Sequence, residues 1–187
     1  MKRRKFWVLL LSIGILAGAP WAITHAVFSD TQAIAGNTFS TGSVDISASP
    51  TSALVTFTGM SPGDKVTAPL TVSNAGSMDF RYAMSTSITG STVLSNGLEL
   101  QIKSTVTACT NAGFDATGTS IYNSTLTAGA IGSNAQGAQA GDRTLAASGS
   151  EVLCFQVRLP SSAGASLQGL STTATFTFDA EQTANNP

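Results

Sequence analysis

The chain has 187 residues, a formal charge of −1 and only 10% charged side chains, where soluble domains average about 25%. With 49 Ser plus Thr, its surface is solvated by hydroxyls and amides rather than ions, which excludes a nucleic-acid binder relying on a basic patch. Hydrophobic residues at 42% exclude bulk disorder, and the length suits one domain.

The chain opens on Lys2, Arg3, Arg4 and Lys5, followed by an apolar run from Phe6 to Ala19 and then Pro20. This is the layout of a secretory signal, expected as a helix, with an apolar core shorter than the roughly 20 residues of a membrane span. Thr24-His25-Ala26 is the preferred cleavage site, between Ala26 and Val27. Ala17-Gly18-Ala19 fits less well because Pro20 follows it. Trp21 to Ile23 can extend the apolar run, so an uncleaved anchor is the alternative. The expected division is a signal over 1–26 and a domain over 27–187. No later stretch is long and apolar enough to span a bilayer.

Cleavage removes four of the nine cations, none of the ten carboxylates and the only histidine, His25. Five cations against ten carboxylates leave a mature charge of −5. A domain without histidine builds no His-ligated zinc site, Ser-His-Asp triad or Cys-His pair. No catalytic, cofactor-binding or metal-ligating residue is therefore expected.

The mature N-terminus, Val27-Phe28-Ser29-Asp30-Thr31, is an apolar start to a Ser/Thr-rich stretch ending at Phe39. Such a chain end is either an edge strand of its own domain or a strand added to a neighbour's sheet. Alternation then marks strands at Val66 to Ser73, Leu98 to Lys103, Leu153 to Leu159 and Thr173 to Phe178. Weaker strands are expected at Val44 to Ser47, Ala53 to Thr58 and Phe80 to Ile88. Turn signals separate them at Ser61-Pro62-Gly63-Asp64, Asn74-Ala75-Gly76 and Ser95-Asn96-Gly97. The pattern predicts an all-β, two-sheet sandwich or jelly roll. Short helices are expected near Ser91 to Asn96 or within Ser161 to Gly169. Thr127 to Ser150 is rich in Gly, Ala, Ser and Gln, has little to bury and reads as a long mobile loop. The tail from Gln182 to Pro187 is polar and is expected to fray.

Cys109 and Cys154 are the only cysteines, and in an exported chain a disulfide is the natural reading, with two separately buried thiols as the alternative. Cys154 points away from the apolar face of its strand, so a bridge would staple that strand to the loop Ala108 to Gly113. Asp45, Asp64, Asp79, Asp115, Asp142 and Asp179 are scattered and read as turn caps and surface charges rather than an acid–base pair or calcium site. Asn123-Ser124-Thr125 matches a glycosylation triplet of a kind that arises by chance in Thr-rich chains.

Several stretches resemble the TasA/camelysin family of secreted Gram-positive proteins. They are Ala26-Val27-Phe28-Ser29-Asp30-Thr31, Gly36-Asn37-Thr38-Phe39-Ser40-Thr41-Gly42 and Met60-Ser61-Pro62-Gly63-Asp64, then Val72 through Tyr82 and Thr173 through Thr183. The resemblance implies a jelly roll released by a dedicated signal peptidase and built into biofilm-matrix fibres. In fibre-forming members the mature N-terminal strand completes the sheet of the next subunit, which here places the donor within Val27 to Phe39. The family's zinc-peptidase label finds no HExxH in this chain. The expected partners are further copies, head to tail, with an anchoring or accessory matrix protein possible and no nucleic acid. The expected location is extracellular or at the cell surface. Two other functions compete: a monomeric surface-binding or adhesin domain, and a secreted hydrolase using carboxylates.

Overall fold

The computed structural model describes residues 38–52, 54 and 59–186. The chain divides into two compact units, Met1–Phe39 and Ser40–Pro187. In the first, only Thr38 and Phe39 are described; both are exposed and neither has regular structure. The expected signal, the cleavage pair Ala26 and Val27, and the donor residues Phe28, Ser29, Asp30 and Thr31 lie outside the described residues. So does the weak strand expected over Ala53 to Thr58, except Leu54.

The second unit is a sandwich of two antiparallel sheets. One sheet contains β1 (Ile46–Ser49), β2 (Lys65–Asn74), β4 (Glu99–Ser104), β5 (Thr119–Thr125) and β8 (Ser150–Arg158), in the order β1-β2-β8-β4-β5. The other is built on β3 (Phe80–Gly90), which pairs along its whole length with β9 (Thr172–Gln182). The other edge of β3 takes two short strands, β6 (Ala130–Ile131) and β7 (Arg143–Leu145). All-β architecture follows directly from the alternation: in β4, Leu100 and Ile102 are fully buried while Glu99, Gln101 and Lys103 face outward. Leu70, Val72, Phe80, Tyr82, Leu153 and Phe155 join them between the sheets. Phe155 of one sheet and Phe176 of the other meet with ring centroids 5.1 Å apart.

Two short helices interrupt the strands. Helix α1 (Thr92–Gly97) falls where one was expected, capped by Ser91, whose Oγ accepts from Leu94 N at 3.2 Å. Helix α2 (Asn111–Ala116) replaces the loop expected at 108–113. Thr110 caps it, accepting from Gly113 N, and Phe114 anchors it with 1% exposure. The second helical region expected, 161–169, contains only a 3-10 turn at Ala165–Leu167.

Cys109 and Cys154 are joined by a disulfide with Cα atoms 5.5 Å apart. The link ties the segment before α2 to β8 and closes a loop worth about 4 kcal/mol in the chain-entropy account. The outer face of β8 is therefore not a wet face at its centre: Cys154 and Gln156 are buried there at 1% and 3% exposure. Gln156 donates to Thr67, Thr67 to Asn111 Oδ1, and Asn111 to the Lys65 carbonyl. That chain of hydrogen bonds fastens α2 to the sheet.

The segment from Thr127 to Ser150 is not the structureless loop its composition suggests. Leu126, Ile131 and Leu145 are buried and bring 3-10 turn Leu126–Ala128, β6 and β7 onto the core. The intervening turn is organised by Asp142, which accepts from Ser133 N at 2.9 Å and from Gln139 N at 2.8 Å. Widely spaced single apolar anchors hold a chain that composition alone reads as loose.

Candidate functional site

Among the described residues β1 pairs only with β2, and β9 only with β3, so each presents a free strand edge. Beside these edges runs a groove of about 950 Å³, lined also by Pro50, Thr51, Ser52, Leu54 and Met60 from the connection between β1 and β2. Its floor is apolar: Leu70, Val157, Phe176 and Phe178 line it, with Ile46 and Ala174 toward the rims. Among the described residues no charged side chain lines it. The alternation of β9 produces this surface. Ala174, Phe176 and Phe178 turn inward, half-buried, while Thr173, Thr175, Thr177 and Asp179 stay exposed. Among the described residues this half-buried aromatic row lies beside a backbone edge with no second strand.

Phe39, the last residue of the expected donor, is described and is 94% exposed. The groove itself was not legible as a site, because no single residue in it carries chemistry; only the pairing order of β1 and β9 exposes it.

The charged residues serve the fold. Arg143 of β7 donates two hydrogen bonds to Glu151 of β8, and Tyr82 of β3 donates to the same carboxylate at 2.6 Å. This triad links the two sheets. Arg81, 6% exposed, lies 3.2 Å from Glu181, which also accepts from Gly137 N. Arg158 pairs with Glu99 and Lys65 with Asp115. Lys103 donates to the Phe114 carbonyl at 2.6 Å and sits 4.5 Å from that ring's centroid. All five cations from Lys65 onward are thus engaged within the domain. Asp115, Glu99, Glu151 and Glu181 neutralise cations rather than merely solvating the surface. Asp64, Asp79 and Asp142 do cap turns, accepting from Ser61 N, Ala147 N and the two amides already named.

Burial, then the hydrogen bond to Glu151, raises the Tyr82 hydroxyl well above its ordinary pKa of 10. The raised value in the fold means that the contribution is complete below pH 10 and is lost as pH climbs beyond it. Stability is expected to fall above pH 10 by about 1.4 kcal/mol per pH unit from this group. Denaturant midpoints measured between pH 9 and 11.5 check this. Tyr82→Phe should flatten the slope to the smaller part owed to Tyr122, whose pKa is also raised by burial. An unchanged slope in Tyr82→Phe would refute the assignment.

The fold defines an all-β sandwich domain of two antiparallel sheets. The family model for camelysin metallo-endopeptidase matches residues 9–186, and the chain belongs to that family. No curated protein matches it. Among solved structures, the sporulation control protein Spo0M from Bacillus subtilis aligns at 13% identity with a TM-score of 0.24. The alignment covers 78% of this chain and 49% of Spo0M, so the chain spans about half of that protein's length.

The family's name is that of a metallo-endopeptidase, and a catalytic zinc needs three converging protein ligands. The residues here do not fit one. Both cysteines are consumed by the disulfide, and the better-buried carboxylates are tied to arginines. Among the described residues no three His, Cys, Asp or Glu side chains gather to hold a metal. No helix among them is long and apolar enough to cross a membrane.

Proposed function

We propose that this chain is a secreted, non-enzymatic subunit of extracellular matrix fibres, assembling head to tail by donation of the mature N-terminal strand. The observation that carries the reading is the charge-free groove beside the free edges of β1 and β9. The segment from Val27 to Phe39 supplies the matching element: it begins after a signal-like leader and has an apolar start. A contact between different surfaces of two copies that does not close into a ring generates an open filament. Attached to its leader, the donor has no free end; cleavage at Ala26 is therefore the step that releases assembly. Among the described residues no set of side chains fits a catalytic zinc, which favours this reading over proteolysis.

The test compares the chain from Val27 to Pro187 with one starting at Ser40, using light scattering and electron microscopy. Filaments from the first and monomers from the second are expected. Stable monomers from both, across salt and concentration, would overturn self-assembly and favour a monomeric surface-binding domain.

A further inference from the structure

We propose that Cys109 is a thiol–disulfide exchange site, through which an organic disulfide oxidises the already folded domain, with Cys154 as the buried thiol that resolves the exchange. The proposal does not depend on the assembly reading. Three observations lead to it.

The first is unequal burial. Cys154 lies in β8 with 1% exposure. Cys109 is half-buried in the irregular segment between β4 and α2, where Thr107, Ala108 and Thr110 are all exposed. Exchange requires direct approach of one sulfur to another, so an outside reagent reaches Cys109 before Cys154.

The second is that the segment carrying Cys109 is docked by bonds that use no sulfur. Phe114 is buried under it, and Lys103 donates to the carbonyls of Phe114 and Thr117 at 2.6 and 3.4 Å. Thr107 N donates to Thr117 Oγ1 at 3.1 Å, which closes the segment on itself. Thr67 donates to Asn111 at 2.8 Å, and Lys65 pairs with Asp115. These fastenings keep the reduced segment against β8. The Cα separation of 5.5 Å, inside the range a disulfide spans, is thereby set before the bond forms.

The third is the local chemistry. Residues 104–114 carry no charge, so neither sign of reagent is repelled by the segment itself. Cys154 is also the only other cysteine, so a mixed disulfide on Cys109 has a single internal resolver. In the first step the Cys109 thiolate attacks one sulfur of the oxidant and expels the other as a thiol, leaving a mixed disulfide. In the second, Cys154 gives up its proton and attacks the Cys109 sulfur, expelling the rest of the oxidant. Two electrons and two protons leave the cysteines, and the oxidant departs as two thiols.

The test reduces the purified chain, removes the reductant and adds oxidised glutathione without denaturant, following intact mass. Cys154→Ser is expected to gain glutathione at Cys109 at least about tenfold faster than Cys109→Ser gains it at Cys154. In urea the two rates should converge. Equal rates without urea, or a faster Cys109→Ser, would overturn the assignment. Serine at a buried position can itself unfold a domain, so the reduced parent supplies a second readout. Pulsed iodoacetamide with peptide mass spectrometry should label Cys109 first. Simultaneous labelling of both cysteines would overturn the inference. So would loss of the native circular dichroism in the reduced parent, which would place oxidation before folding.

Discussion

Ala174→Asp is expected to leave the domain folded and monomeric and to abolish filament formation. Ala174 sits on the inward face of β9, half-buried, pairs with Ile88 of β3 and lines the groove. A carboxylate there retains access to solvent while the groove is empty, so the cost to the isolated domain is modest, about 1–2 kcal/mol. Once a strand covers it, the same carboxylate loses its water with no cation in reach, and the penalty falls wholly on the assembled state. Thr177→Asp is the matched control: it adds the same charge to an exposed position of β9 outside the groove lining. Electron microscopy and sedimentation of both variants, with circular dichroism for folding, check the result. Filaments of Ala174→Asp at parental concentration would remove the groove from the assembly interface.

The proposed acceptor and donor lie on different parts of the chain, and only the second is readable in sequence. An apolar stretch just after a leader is a local signal, so Val27 to Phe39 stands out before any fold is known. The groove depends on strand order. Ala174, Phe176 and Phe178 read as an ordinary half-buried strand, and only strand order, in which β9 has one neighbour among the described residues, gives their row its proposed role. The same distinction runs through the fold. β2, β4, β8 and β9 alternate cleanly because one face of each meets the core. β5 does not: its register shifts opposite Ile102 and Lys103, and its two large apolar residues, Ile121 and Tyr122, are adjacent rather than alternate. Helix α2 has six residues, too few to show a helical period. Ile131 and Leu145 are single anchors in small-residue surroundings, so a composition average hides them. Arg143 and Glu151 are eight residues apart on different sheets, and their bond with Tyr82 exists only through the third dimension.

The largest stability loss is expected from Asn74→Asp, a change that alters almost no volume. Asn74 reads in sequence as part of an Asn-Ala-Gly turn. In the fold it is 2% exposed and ties together three chain reversals. Its Nδ2 faces the carbonyls of Met78, Leu145 and Ala146 at 2.8, 3.3 and 3.1 Å, and its Oδ1 accepts from Gly76 N at 2.9 Å. Its own amide donates to the Gly149 carbonyl. One side chain therefore joins the end of β2, the turn into β3 and the connection between β7 and β8. In Asn74→Asp the Gly76 bond survives, but an acceptor oxygen now confronts three carbonyl oxygens. The buried donor is gone and an uncompensated charge replaces it, at about 3–5 kcal/mol. For a domain of this size that lowers Tm by on the order of 10 °C. The loss carries its own pH signature. Burial among carbonyls raises the new carboxyl's pKa in the fold, so its protonated form, again a donor, is favoured. The penalty should shrink as pH falls from neutral toward about 4, the unfolded carboxyl's value, and be smallest below it. Asn74→Ala, lacking the charge, should be less damaging at neutral pH and show no such recovery. Calorimetry of the three proteins at pH 3.5 and 7 decides it. Equal melting of Asn74→Asp and parent at pH 7 would show that the three carbonyls find other partners.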